Sequence, residues 1–173
     1  MSTEELEIAI HAVLITQRFK LSTSEQHVAL GCSRFWARRT LNTNRATAFV
    51  RDPASGLEAR APIGESCQRL KWQLLRTTFT IPFLYPVGLQ IILAGDGLLS
   101  DAEIGPDVVD LIDNQRVVLQ GVFVVDTRDR RFRYWSSPGL YLTSKLHTAI
   151  AEAIASTGFD GITQTAAVPS LRL

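Results

Sequence analysis

Apolar residues recur at helical spacing near both ends of the chain. The N-terminal positions predict a helix that runs to about Phe19, and they are Leu6, Ile8, Ile10, Val13, Leu14 and Ile15. Ser22 and Glu25 have the spacing of a capping box and open a second helix that ends near Gly31. The last predicted helix begins at Thr143 and ends before Gly158.

Alternating or continuous apolar runs predict the strands. Residues 45–51 and 57–60 indicate two strands around a turn at 52–56. The stretch 67–81 fits either a helix or a strand, and the β-branched residues of its second half favour a strand. Residues 117–125 are apolar on both faces, which is typical of a central strand, and 130–135 return from it as a hairpin.

These elements predict an α+β fold with N-terminal helices, a mainly antiparallel sheet of hairpins and a C-terminal helix packed on it. The chain has 173 residues, which is close to the common size of one domain. We therefore expect a single domain over 1–173. The alternative division is a winged-helix-like unit at 1–63, followed by an α+β assembly or effector region at 64–173.

Residues 21–62 resemble a winged helix-turn-helix. The resemblance places Gly31 at the turn, Ser33 at the cap of a recognition helix that reaches about Leu41, and the hairpin 46–62 as the wing. It implies DNA contacts through five arginines, which are Arg34, Arg38, Arg39, Arg45 and Arg51. An amphipathic core helix with an arginine edge explains the same residues.

The charges are unevenly distributed although the net charge is only +1. The segment from Arg18 to Arg60 contains eight basic and three acidic residues, whereas residues 96–113 contain six acidic residues and no basic one. Opposite charges on separate regions attract copies of a chain to each other, so the pattern favours self-association. Ordinary solvated faces are the alternative interpretation.

The hairpin that ends near residue 135 carries the first candidate for a protein interface. Its arginines and aromatic residues are of the types that dominate interface energetics, and they are Arg128, Arg130, Arg131, Arg133, Tyr134 and Trp135. The same residues are also suited to holding single-stranded nucleic acid, or they pack their aromatic rings in the core.

Catalytic and metal-binding motifs are lacking. The sequence has no helical zinc motif, no Cys-x-x-Cys, no phosphate loop and no nucleophile elbow, and its three histidines fall on separate predicted helices. We expect Cys32 and Cys67 to be buried and to pack as small apolar residues. We therefore expect no catalytic residue, no cofactor and no metal, although a dispersed catalytic site stays open.

No membrane span or signal peptide is predicted. The longest apolar stretch, 81–93, is broken by prolines and a glycine and is shorter than the roughly 20 residues that a bilayer requires. Glu4, Glu5 and Glu7 lie where a signal peptide would be positive, so we expect a cytoplasmic protein.

The sequence thus favours a non-catalytic, soluble protein that acts through protein–protein contacts, self-assembly or regulation, with itself or another protein as partner. The first alternative is a winged helix-turn-helix-like DNA-binding transcriptional regulator. A small-molecule carrier or enzyme built on the central sheet is the third possibility.

Overall fold

Four helices and seven strands form the part of the chain that the computed structural model describes, residues 3–39, 44–52, 63–77, 87–99, 117–136 and 144–163. The helices are α1 (Thr3–Thr16), α2 (Ser24–Leu30), α3 (Ile63–Thr77) and α4 (Ser144–Ser156). The strands are β1 (Lys20–Leu21), β2 (Arg34–Arg39), β3 (Asn44–Arg51), β4 (Val87–Gly95), β5 (Val117–Asp126), β6 (Arg131–Ser136) and β7 (Asp160–Thr163). The helices predicted at the N-terminus, at 22–31 and at 143–156 are confirmed with small shifts of their ends.

All seven strands form one sheet in the order of the chain. β2 is antiparallel to both of its neighbours, β1 and β3, and β5 is antiparallel to β6. The pairings of β3 with β4, β4 with β5, and β6 with β7 are parallel. The prediction of a mainly antiparallel sheet is therefore wrong, because helices such as α3 and α4 return the chain so that the next strand runs in the same direction.

Helices cover both faces of the sheet. On one face α2 and α3 pack over a core that includes Leu70, Leu74, Leu89 and Val122. On the other face α1 and α4 pack side by side, and their core includes Leu6 and Ile150. β4 is buried along its whole length because it is covered on both sides.

One segment differs from its predicted structure. Residues 34–39 form β2 and not a recognition helix, because Phe35 and Trp36 belong to the opposite cores on the two sides of the sheet. Residues 63–77 form α3, whose residues Cys67, Leu70 and Leu74 face the sheet, which decides for the helix in the first half of 67–81. The strand favoured for the second half of that stretch lies almost wholly outside the described residues. The strand predicted at 57–60 lies outside the described residues, and the hairpin that the structure describes in this region is β2 with β3.

Both sides of the alternative domain boundary at residue 63 contribute to the same sheet, since β3 pairs with β4 over Asn44–Arg51. Within the described residues no helix is both long enough and apolar enough to cross a membrane.

Candidate functional site

A cleft lies at the edge of the sheet where β1 begins. Lys20, the first residue of β1, pairs with Ala37, and β2 continues beyond this point to Arg38 and Arg39. The turn that links α1 to β1 brings Arg18 to the same place. The cleft has a volume of about 420 Å³. It is lined by Arg18, Lys20, Leu21, Ser22, Thr23, Gln26, Ala37, Arg38 and Arg39.

The lining of this edge cleft is positively charged. Four of its nine lining residues are basic, and none of the nine is acidic. Ser22 and Thr23 add hydroxyl groups and Gln26 adds an amide, all of which can donate hydrogen bonds. The Arg38 guanidinium donates through Nη1 to the carbonyl of Gln17 at 2.9 Å, which holds this side chain against the end of α1. A cleft whose lining includes four basic side chains and no acidic one is suited to an anion.

Arg38 and Arg45 lie directly opposite each other on β2 and β3. Both are half-buried. Burial lowers the pKa of Arg45 below its ordinary value, and the neighbouring charge of Arg38 lowers it further. Like charges at directly opposite positions destabilise a sheet. Among the described residues neither arginine forms an ion pair with a carboxylate, since those observed both involve Glu7. An anion bound at this end of β2 would relieve the repulsion.

Arg18 has a strained backbone at the position that ends α1. The N–H of Phe19 donates to the carbonyl of Leu14 and the N–H of Arg18 to that of Ile15, which is the Schellman arrangement. The residue at this position must adopt a left-handed conformation, and Arg18 has a φ of 64°. α2 and α4 have glycine there, Gly31 and Gly158. Arginine is strained in this conformation and glycine is not, and among the described residues Asp52 and Arg130 are the other non-glycine residues with a positive φ.

The five arginines of the predicted DNA contact separate into two groups. Arg38 and Arg39 line the cleft, and Arg45 lies beside Arg38. Arg34 and Arg51 lie at the opposite end of β2 and β3, where both bind the buried carboxylate of Glu7 on α1. Arg34 Nε is 2.5 Å from Oε1 of Glu7. These two arginines therefore fix α1 to the sheet.

The residues of the predicted hairpin interface are also divided. Arg128, Arg130 and Arg131 are exposed at the β5–β6 turn. Trp135 is buried in the core, and Tyr134 stacks on Phe123 with ring centroids 5.4 Å apart. Arg133 is half-buried. The aromatic part of this candidate thus contributes to the core, which leaves mainly arginines to contact a partner.

A second group of polar residues, which we call the polar row, is buried beneath α1 and α4. It consists of Thr47, Gln90, Gln120 and His147, and each is more than nine-tenths buried. Thr47 pairs with Gln90, and Gln90 pairs with Gly121 beneath His147. A bulge between Leu119 and Gly121 places Gln120 over Gly88.

The polar row leaves hydrogen-bonding atoms without partners. Within the described residues these atoms are Thr47 Oγ1, both amide atoms of Gln90, Gln120 Oε1 and His147 Nε2. Two glycines make room for the side chains, since a Cβ at Gly88 would be 2.1 Å from Gln120 and one at Gly121 would be 2.2 Å from His147. Burial lowers the pKa of His147 to about 4, so the imidazole is neutral at pH 7.

Other ionisable groups have structural roles. Burial tends to raise the pKa of Asp126, but backbone N–H donors from Leu99, Asp129, Gly97 and Arg128 bring it below its ordinary value. Burial raises the pKa of both Cys32 and Cys67 to about 12, so neither thiol forms a thiolate nucleophile at neutral pH. Among the described residues no group of three or more His, Cys, Asp or Glu could hold a metal ion.

Sequence reasoning found part of the cleft and missed the polar row. It selected Arg38 and Arg39 but assigned them to a helix, and it gave no role to Arg18 or Lys20. Gln90 and Gln120 offered a signal, because each interrupts an apolar strand within two residues of a glycine. Comparison with protein-family models, with curated proteins and with solved structures gives no match, so the function is inferred from these sites.

Proposed function

We propose that this protein binds a phosphate-bearing ligand in the edge cleft, as a binding protein that carries out no bond-breaking step. One observation carries the proposal. The described lining of the cleft gathers Arg18, Lys20, Arg38 and Arg39 without a carboxylate. Several positive side chains around one concavity create a positive potential that attracts an anion.

The lining favours phosphate over a single carboxylate. Guanidinium groups bind phosphate oxygens in a bidentate geometry, and this cleft offers three arginines with a lysine. The hydroxyls of Ser22 and Thr23 can donate to further oxygens. A volume of about 420 Å³ lies within the roughly 300–1,000 Å³ typical of small-ligand sites.

Phosphate groups of this kind have two possible sources, a free polyphosphate compound or the backbone of a nucleic-acid strand. Binding to a nucleic-acid backbone is the form in which the DNA-binding alternative is still proposed. Arg38 and Arg39 would then contact phosphates from the edge of the sheet and not from a recognition helix. Binding of nucleic acid through this edge would be governed by phosphate contacts, because the cleft has few groups that can read a base edge.

The first test compares two probes, inorganic tripolyphosphate and a labelled single-stranded oligonucleotide. We expect Arg38→Ala combined with Arg39→Ala to weaken binding of the preferred probe by at least about tenfold and to reduce the slope of log affinity against log salt by about 1.4 for the single-stranded oligonucleotide. Arg128→Ala is the matched control, because Arg128 is exposed in the β5–β6 turn, outside the lining of the cleft and separated from β2 by β3 and β4 in the sheet, and its loss should leave affinity unchanged.

The variant Arg18→Gly separates loss of binding from loss of folding. Glycine removes the left-handed strain at φ 64°, so this variant should be more stable than the natural protein by about 1 kcal/mol and yet bind phosphate more weakly. The proposal is wrong if neither probe binds, or if the double variant and Arg18→Gly bind as well as the natural protein.

A further inference from the structure

The outward face of α1 is apolar. Leu6, Ile10 and Leu14 face the core, whereas Ile8 is 63% exposed and Ile15 is 46% exposed on the opposite side. Residues seven apart lie two turns apart on the same side of a helix, and the small residue Ala12 is exposed between them. We call Ile8, Ala12 and Ile15 the α1 stripe. Surface helices normally carry polar residues at such positions.

The charges at the two ends of the stripe are opposite. Glu4 and Glu5 are exposed in the first turn of α1. No basic residue occupies its last turn, but Arg18 and Lys20 follow directly and are exposed. Two copies of this helix side by side in opposite directions would bring each acidic end against a basic end. The helix dipoles also attract each other in an antiparallel arrangement.

We propose that a second copy of this chain packs on the α1 stripe as an antiparallel, two-fold symmetric dimer. A two-fold interface uses the same surface on both copies, so a self-complementary stripe is what it requires. Seating Ile8 of one copy against Ile15 of the other fixes the register. In that register the first turn of one copy, which carries Glu4 and Glu5, lies against the end of α1 in the other, which Arg18 and Lys20 follow within four residues.

This inference places self-association on a different surface from the predicted hairpin, and it opposes the basic residues to Glu4 and Glu5 of α1 and not to the acidic residues of 96–113. Arg18 and Lys20 also line the edge cleft, whereas Ile8 and Ile15 lie outside its lining. The isoleucine variants therefore test the dimer alone, with molecular mass as the readout for the dimer and probe affinity as the readout for the cleft.

The test is the solution mass of the full chain by light scattering over a range of concentrations. The natural protein should be a dimer that dissociates on dilution. Ile8→Glu with Ile15→Glu should raise the dissociation constant by on the order of a hundredfold or more, since four apolar side chains lose their contacts. Val28→Glu is the matched control, because Val28 is 81% exposed on α2 and should leave the dimer intact.

The charge pairing has its own test. Glu5→Arg and Arg18→Glu should each weaken the dimer, and the double variant should restore it, because the reversed charges attract again. A natural protein that stays monomeric at the highest concentration overturns the proposal. A dimer that persists with both isoleucines replaced also overturns it, provided that circular dichroism shows the same helix content in every variant.

Discussion

Replacing Thr47 by valine should stabilise the protein. The Thr47 side chain has 0% exposure, and its hydroxyl finds no hydrogen-bond partner among the described residues. Valine has nearly the same shape, so the change removes the hydroxyl without opening a cavity. A buried polar group without a partner costs about 1–3 kcal/mol, which is the gain in unfolding free energy that we expect. Valine also suits a strand at least as well as threonine does.

Urea and thermal unfolding at pH 7 measure this gain. Each kcal/mol corresponds to roughly 2–4 °C in Tm for a chain of this length. Thr16→Val is the control, because Thr16 is exposed at the end of α1 and donates only to the carbonyl of Val13 at 2.7 Å. Its effect should stay within about 0.5 kcal/mol. A Thr47→Val protein that is less stable than the natural one would show that the hydroxyl has a partner in solution and would refute the reasoning.

Three further perturbations test the packing around the sites. His147→Leu should flatten the pH dependence of stability between about pH 6.5 and 4. Because the pKa of His147 is depressed in the folded protein, the unfolded chain binds a proton in this pH range and the folded chain does not. The natural protein should therefore lose up to about 3 kcal/mol of unfolding free energy on acidification, measured as urea midpoints against pH. Asp126→Asn should destabilise the protein by about 2 kcal/mol, because one amide oxygen cannot accept from all four N–H donors. The lowered pKa of Asp126 stabilises the natural protein at neutral pH, and this stabilisation is lost as the pH falls below the ordinary carboxyl pKa near 4. The variant should lack this loss when it is measured in the same series. Glu7→Gln should destabilise the protein by about 1–2 kcal/mol, because Arg34 and Arg51 lose their shared charge partner. The urea midpoint should fall with an unchanged slope, and an unchanged midpoint would contradict the role of Glu7 in fixing α1 to the sheet.

A stabilising change at Thr47 would bear on function as well. Unpaired buried polar groups are tolerated at functional sites, where stability is often lower than it could be. The polar row holds four such residues side by side, and two glycines make room for them. The polar row is therefore a second place to look when the ligand is known.

Part of the fold could be predicted because local pattern and tertiary structure agree. α1 and α4 carry long helical periodicity, and β5 is a long apolar run flanked by turn residues, so their positions were found from sequence. β2 was misassigned because Ser33 and the arginines after it also suit the start of a helix. Pairing with β1 and β3 decides in favour of a strand, and local propensity contains no information on that pairing.

The parallel pairings of the strands were not predicted, for a related reason. Residues 67–81 carry both a helical and an alternating pattern, and the choice between them determines whether β3 and β4 are joined by a helix. Since α3 is a helix, the two strands become parallel neighbours. The nearly continuous apolar run of residues 87–95 was the available sign of a parallel pairing in the sequence. It corresponds to the continuous burial of β4, and strands covered on both faces are typical of parallel sheets.

The edge cleft was only partly predictable. Arg38 and Arg39 are conspicuous in the sequence, but Arg18 becomes informative only when its left-handed backbone is seen beside Gly31 and Gly158 at the ends of other helices. Lys20 joins them through the short strand β1, whose two residues are too few for any sequence pattern to detect.

The most direct test of the central claim is a map of where phosphate binds. Inorganic tripolyphosphate would be titrated into the isotopically labelled protein while backbone amide resonances are followed by nuclear magnetic resonance. Binding in the edge cleft predicts saturable shifts concentrated at residues 18–26 and 37–39, and their loss in Arg38→Ala with Arg39→Ala. Shifts centred elsewhere, for example on the arginines of the β5–β6 turn, or no saturable shifts at all, would contradict it.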